Sequence, residues 1–289
     1  MATQEGDDAK FSQSSTRASS RKNRVFVLRE FLWDVYGSLL SSARTDGVIL
    51  DAAGGKGDLS WLLTNVDDLA SVVVDPRLPK NHLVKSVEYL RAHPEEAHQR
   101  ALPGLPTYQP LAELIPKLED KDAFAKPRHL RILVNQELVD AVRSAQRGGD
   151  REWDDFWAKA TQEGKEAQTL GYKEDFTFSD NQIVDPAEAF ETILNARLIV
   201  GFHPDQATDA CIDLAVLLQV PYCVVPCCVF PSDFPHRRGP DGNRVRVYRE
   251  LIEYLKDKDP RVRMCMLPFH ETSTARNIAL YTLPCDCSP

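Results

Sequence analysis

Three glycines and a carboxylate lie close together after the first strongly apolar run of the chain. Residues 48–50 are apolar and lead into Asp51, and Gly54, Gly55 and Gly57 follow it. Glycine lets a backbone turn sharply and come close to a ligand, and helical apolar spacing resumes from residue 59. The segment therefore predicts a strand, a ligand-binding glycine turn and the start of a helix.

Two common phosphate sites have a similar outline but do not fit. A P-loop needs Ser or Thr after Gly-Lys to bind magnesium, whereas Gly57 follows Lys56 here. A dinucleotide fingerprint needs a third small glycine-like residue where Ser60 stands, and it would place Asp51 against a diphosphate. A carboxylate at this position favours a ligand that carries an ammonium group.

A second acid follows the next apolar run. Residues 71–74 predict a strand, and Asp75 follows Asp51 by 24 residues. This is near the interval of about 20 residues at which a βαβ unit brings an acid to ribose hydroxyls. The alternative is that the glycines only form a tight turn and that Asp75 caps the next helix.

The Asp-x-x-Gly-Gly-x-Gly turn resembles that of class I methyltransferases. The resemblance implies that Asp51, Gly54, Gly55, Gly57 and Asp75 bind the cofactor S-adenosyl-L-methionine. It also implies an α/β, Rossmann-like fold. Such a fold has a mostly parallel seven-stranded sheet, an antiparallel last strand and helices on both faces.

Two later segments resemble one branch of that family, which includes tRNA ribose methyltransferases. The segment from Gly201 to Gln206 is similar to a Gly-Leu-His-x-Cys-Gly-Asp element, although the glycine before the aspartate is absent here. Cys227 and Cys228 resemble the Cys-Cys element that follows it. The resemblance implies that the methyl acceptor, RNA or protein, binds beside these segments.

His203 and Asp205 are the candidate catalytic residues. Methyl transfer requires alignment of the acceptor with the methyl group, and a hydroxyl or ammonium acceptor must also lose a proton. A histidine and a carboxylate suit that proton step. The alternative is that His203 binds backbone groups at the strand end and that Asp205 caps the following helix.

Cys227 is a candidate substrate-binding residue. If Cys227 and Cys228 lie on a strand, their side chains alternate, so that one lines the pocket and the other enters the core. We predict no metal, because the chain has no Cys-x-x-Cys pair and Cys285-x-Cys287 lies at the end of the sequence.

A basic loop follows the predicted fifth strand, at residues 231–246. Its arginines lie beside Phe234 and predict phosphate contacts with an RNA acceptor, from Arg237 and Arg238 above all. The alternatives are a solvated surface loop and a protein acceptor.

These residues must be positioned by the elements between them. Seven apolar segments predict strands, at residues 48–51, 71–75, 129–135, 197–203, 222–230, 262–267 and 276–283. A helix is predicted from residue 24, and the last two strands predict a hairpin. Gln136 and Glu137 are expected at the carboxyl end of the third strand.

The sequence also predicts the domain organisation. Residues 1–22 are polar and predict a disordered tail, and residues 23–289 predict one methyltransferase domain with an insertion at about 138–185. In the insertion, Trp153, Phe156 and Trp157 have the spacing of a helical packing face.

Composition limits the function classes. The chain has 289 residues, 43% of them hydrophobic, and a net charge of −8, which argues against nucleic-acid binding by the whole surface. Seven cysteines, some in apolar surroundings, favour free thiols in the cytosol or nucleus, and we expect no membrane association. We predict a methyltransferase; the alternative is a catalytically inactive protein that keeps the fold for binding or as a scaffold.

Overall fold

The computed structural model describes residues 24–42, 47–77, 124–171, 181–268 and 276–287. The predicted disordered tail, residues 1–22, lies outside the described residues. No helix in these ranges is both long enough and apolar enough to cross a membrane.

One seven-stranded sheet runs through the described part of the chain, in the order β3-β2-β1-β4-β5-β7-β6. Its strands are β1 (Val48–Ala52), β2 (Ser71–Val74), β3 (Arg128–Leu130), β4 (Ala196–Phe202), β5 (Tyr222–Val225), β6 (Arg263–Met266) and β7 (Ile278–Tyr281). Strands β1 to β5 pair in parallel, and β7 lies antiparallel between β5 and β6. The prediction of a mostly parallel sheet with a reversed last strand is confirmed.

Helices connect most of these strands. They are α1 (Arg24–Ser42), α2 (Asp58–Asn65), α3 (Gln136–Ala145), α4 (Asp150–Gly171), α5 (Pro186–Leu194), α6 (Thr208–Leu218) and α7 (Tyr248–Asp257). Their starts follow local chemistry: Asn135 Oδ1 accepts a hydrogen bond from the Leu138 amide, and Asp185 does the same for Glu188. The range 138–185 contains most of α3 and all of α4.

The core lies on both faces of the sheet because strand residues alternate. In β4, Leu198 and Val200 pack with the apolar side chains of α1 and α2. Ile199, between them, faces the opposite cluster, which includes side chains from α3 to α7. Trp153 and Trp157 are buried in this second cluster, and their rings stack at 6.0 Å, which confirms that the aromatic face of α4 is a packing face.

Two strands end five residues earlier than predicted. The third ends at Leu130 rather than at residue 135, because its partner β2 has ended at Val74 and offers no further pairing. The fifth ends at Val225 rather than at residue 230, because Pro226 has no amide hydrogen with which to continue the ladder. Gln136 therefore begins α3, and the cysteines after Pro226 lie in a loop.

Helix α1 is fixed to the sheet by buried polar contacts. The Arg29 guanidinium forms a buried ion pair with Asp67, with an Nε to Oδ2 distance of 2.6 Å, and Trp33 Nε1 donates to the same carboxylate at 3.0 Å. Further along the helix, the Tyr36 hydroxyl donates to the Tyr222 carbonyl at 2.7 Å. These contacts fix α1 to the α2–β2 loop, which contains Asp67, and to β5.

We predict that Asp67→Ala destabilises the protein by about 3–5 kcal/mol, because it leaves the Arg29 guanidinium buried without its carboxylate. Urea unfolding followed by circular dichroism measures the change. The control is Asp140→Ala, which removes an exposed ion pair with Arg143 and should cost less than about 1 kcal/mol. Equal losses in the two variants would contradict an anchoring role for Asp67.

Candidate functional site

The carboxyl ends of β1, β2 and β4 open into one cavity of about 490 Å³. The strand order changes direction between β1 and β4, and ligands of open α/β sheets bind outside such a point. The volume lies within the range of about 300–1,000 Å³ that is usual for small-molecule sites. The lining includes Ala53, Asp75, Leu133, Gln136, His203, Asp205, Phe234 and His236.

The turn after β1 requires its glycines for different reasons. A side chain on Gly54 would bring its Cβ to 2.6 Å from the Asp51 carboxyl carbon, so there is no room for any larger residue at this position. Gly55 and Gly57 have φ values of 55° and 73°, a backbone conformation that glycine adopts more easily than other residues. Ala53 has a φ of 54° without being glycine, and it lies on the cavity wall.

Asp51 lies beneath this turn and is 1% exposed. Its Oδ2 accepts hydrogen bonds from the Ser60 amide at 3.2 Å and the Ser60 hydroxyl at 3.0 Å. Burial nevertheless raises the pKa of Asp51 to about 7. The residue also lines a second cavity of about 190 Å³, with Val25 and Lys56 among its other walls. A cation that entered this cavity would stabilise the ionised carboxylate.

Asp75 connects the end of β2 to the glycine turn. Its Oδ2 accepts from the Gly55 amide at 2.9 Å, and its Oδ1 accepts from the Arg77 amide at 2.9 Å and from Arg77 Nε at 3.0 Å. The Asp75 side chain is 2% exposed, whereas that of Arg77 is 47% exposed. Arg77 therefore covers the carboxylate on its solvent side, and a diol could reach Asp75 only if Arg77 moved.

Sequence reasoning did not identify Arg77 or His129 as parts of this site. His129 is fully buried, and burial lowers its pKa to about 4, so the ring is neutral at pH 7. Its Nε2 lies 2.7 Å from the Asp75 carbonyl, an acceptor, and therefore donates to it. The only sequence signal for Arg77 is its position two residues after the acid.

His203 and Asp205 both line the larger cavity, and both have left-handed backbones, with φ values of 53° and 49°. Non-glycine residues adopt this conformation only where the surrounding structure imposes it. Such residues are common at functional sites. His203 Nε2 donates to the Arg276 carbonyl at 2.9 Å, and burial lowers the pKa of the ring. The neutral ring therefore carries its proton on Nε2 and a lone pair on Nδ1.

The alternative roles of these two residues are resolved differently. His203 binds a backbone carbonyl, as that alternative proposed, and it also lines the cavity. Asp205 does not cap α6 with its side chain, since the N-cap position is Ala207 and has no side-chain cap. The Asp205 carboxylate instead accepts a hydrogen bond from the Cys227 thiol at 3.0 Å.

Cys227 and Cys228 lie in the loop after β5, so the strand alternation expected for them does not apply. Cys227 is half-buried and Cys228 is exposed. Neither enters the core, which corrects the expectation that one of them would. Burial, followed by the nearby Asp205, raises the pKa of the Cys227 thiol.

Arg237 occupies a different environment from the one the sequence predicts. It is 1% exposed, forms an ion pair with Asp209, donates to the Val229 carbonyl at 2.7 Å and lies 3.7 Å from the Phe234 ring centroid. Arg237 therefore anchors the loop and, as folded, cannot present its guanidinium to a phosphate. Arg238 is exposed, as the prediction of a surface contact requires.

Comparison with known proteins does not add to this description. No family model matches the chain, and no similar curated protein or solved structure was found. The functional argument therefore rests on the geometry of the site.

We predict that Asp51→Asn makes the protein more stable at neutral pH. The folded-state pKa of Asp51 is about 7 and its ordinary value is 3.8, so the folded protein holds a proton that the unfolded chain releases between these values. The stability contributed by that proton falls as pH rises from about 4 to 7 and then stays low. Asp51→Asn has no carboxyl group to ionise at this position. Its free energy of unfolding at pH 8 should therefore exceed that of the wild type by up to a few kcal/mol.

Urea unfolding of both proteins at about pH 4 and pH 8 tests this linkage. The difference between variant and wild type should be small at the lower pH and large at the higher. Asp68→Asn removes an exposed charge from the nearby α2–β2 loop and serves as the control. A difference that does not change with pH would contradict the buried-charge interpretation.

Proposed function

We propose that this chain is an S-adenosyl-L-methionine-dependent methyltransferase of the class I, Rossmann-like fold. One observation carries the proposal: the glycine turn after β1 and the carboxylate after β2 meet beside a cavity at the β1/β4 switch point. The reversed β7 between β5 and β6 agrees with the sheet plan of that fold. Both features were expected from the resemblance of the glycine turn.

The cofactor would extend along the strand ends. Asp75 would accept hydrogen bonds from the ribose hydroxyls after displacement of the exposed Arg77 side chain. The backbone of Gly54, Gly55 and Gly57 would allow the methionine part to approach closely, and Asp51 would face the ammonium group from the smaller cavity. Binding of that cation should favour the ionised form of Asp51.

The acceptor would enter the larger cavity beside β4. His203, neutral and with its Nδ1 lone pair, has the state that a general base needs at pH 7. Asp205 is exposed on the same wall and can orient an acceptor hydroxyl or ammonium. Most of the rate enhancement would come from alignment of the acceptor with the methyl group.

RNA is the acceptor that the loop at 231–246 favours. Arg238 and Arg246 are exposed, and Phe234 and His236 line the cavity beside them. Exposed guanidinium groups bind phosphate, and aromatic rings stack on unpaired bases. A protein acceptor is the alternative, and transfer of a labelled methyl group distinguishes the two.

A catalytically inactive binding protein is the second candidate, and one observation favours it. Arg77 occupies both oxygens of Asp75, so the ribose position is filled by the chain itself. A protein that never binds the cofactor can keep this ion pair permanently. Isothermal titration with S-adenosyl-L-methionine separates the two candidates, since the inactive protein should give no binding heat at millimolar ligand.

We predict that Asp75→Asn and Gly55→Val each weaken cofactor binding at least about tenfold. The first removes a charged acceptor of the ribose hydroxyls. The second places a branched side chain on a residue with a φ of 55°, at the turn that would face the ligand.

Dissociation constants from titration calorimetry give the result, and thermal unfolding verifies that each variant is folded. Val216→Ala, at an exposed position on α6, is the control. Wild-type affinity in both folded site variants would mean that the site is misplaced.

Methyl transfer from labelled cofactor into fractionated cell extract identifies the acceptor. If RNA is labelled, Arg238→Ala/Arg246→Ala should weaken RNA binding. The slope of log affinity against log salt should fall by about 0.7 for each phosphate that the variant no longer binds. The matched control is Arg147→Ala/Arg151→Ala, which removes two exposed arginines elsewhere. Cofactor binding should be unchanged in both variants. Label found only in protein would overturn the RNA assignment.

A further inference from the structure

Three potential metal ligands meet where the ends of β4 and β5 lie side by side. A carboxylate oxygen of Asp205 and the sulfur atoms of Cys227 and Cys228 all lie within 4.8 Å of one another. Cys227 Sγ and Asp205 Oδ1 lie 3.0 Å apart. No other group of three His, Cys, Asp or Glu side chains in the described ranges is this close.

The fold creates this cluster from residues that are far apart in sequence. Parallel pairing of β4 and β5 places their carboxyl ends together, and the His203 amide donates to the Val225 carbonyl at 3.1 Å. Pro226 then ends β5 and turns the chain, so the two cysteines are presented beside Asp205. Asp205 follows the end of β4 by three residues, and its carboxylate accepts a hydrogen bond from the Cys227 thiol.

The donor set has the chemistry of a zinc site. Thiolate sulfur and carboxylate oxygen are both zinc ligands, and zinc sites that do chemistry have three protein ligands and one open position. The Cys227 thiol donates a hydrogen bond to the Asp205 carboxylate. A metal ion that replaced the thiol proton would lie between the sulfur and the carboxylate oxygen. Binding of Zn²⁺ by the two thiols would release two protons, so charge and atoms balance.

In place of the sequence-based prediction of no metal, we propose that Asp205, Cys227 and Cys228 form a zinc-binding site with an open coordination position beside the larger cavity. Asp205 lines that cavity, so a molecule bound there lies next to the metal. The open position can take water or an oxygen, nitrogen or sulfur atom of the acceptor. This assignment does not depend on methyl transfer, since the ligands are defined by the chain alone.

Cobalt(II) is the probe for this site because its spectrum reports both ligand type and geometry. The full-length reduced protein, freed of metal by chelator dialysis, is titrated with Co²⁺ and then with Zn²⁺. We expect a thiolate-to-cobalt charge-transfer band and intense tetrahedral d–d bands that saturate at one equivalent per chain. One equivalent of Zn²⁺ should abolish both.

Variants assign the ligands. Cys227→Ser/Cys228→Ser should lose the charge-transfer band, and Asp205→Ala should weaken Co²⁺ and Zn²⁺ binding at least about tenfold. Cys285→Ser/Cys287→Ser, which removes the other closely spaced thiols, should bind like wild type. All substituted residues of the site lie outside the core, and circular dichroism verifies the fold.

Three results would overturn the proposal. They are an absent charge-transfer band in the reduced wild-type protein, retention of that band in Cys227→Ser/Cys228→Ser, and unchanged metal affinity in Asp205→Ala. Titration of the metal-free protein with S-adenosyl-L-methionine distinguishes failure of the zinc proposal from failure of the proposed methyltransferase function. A protein that binds Zn²⁺ but not S-adenosyl-L-methionine supports the metal site and contradicts the methyltransferase, and the reverse result does the opposite.

Discussion

The carboxylate of Asp75 joins the two strand ends on which the candidate site depends. It accepts a hydrogen bond at 2.9 Å from the amide of Gly55, in the turn that follows the neighbouring strand β1. The same residue is supported by His129 through its carbonyl and by Arg77 through its side chain. This contact holds the glycine turn close to β2, and Gly54 lines the smaller cavity.

The site retains features that do not favour stability. Asp51 is buried, and the rise in its pKa to about 7 means that ionisation is disfavoured in the folded protein. Ala53, His203 and Asp205 all have left-handed backbones without the freedom of glycine. Unfavourable conformations and buried charges persist when the surrounding structure holds them, and they are common at functional sites. Ala53, His203 and Asp205 all line the larger cavity, whereas Asp51 lines the smaller one, so these features lie at the two cavities beside the strand ends.

The loops after β4 and β5 have two distinct kinds of polar residue. Arg237 is buried against Asp209 and Phe234 and belongs to the packing of the loop. Asp205 and the two cysteines are partly or fully accessible and lie next to one another. The first kind fixes the loop, and the second kind is accessible at the surface. Acceptor binding and metal binding would therefore share one scaffold.

The sequence by itself determined the elements and their order. Apolar periodicity located α1 and the seven strands, and the glycine turn predicted which edge of the sheet carries the cavity, because these signals are local and follow from backbone geometry. Strand lengths were less predictable, since β3 ends where its partner ends. Only the tertiary structure decided that Arg237 is buried, that Arg77 covers Asp75, and that Asp205 meets Cys227. Each of these depends on contacts between chain segments or on side-chain packing, which local composition does not encode.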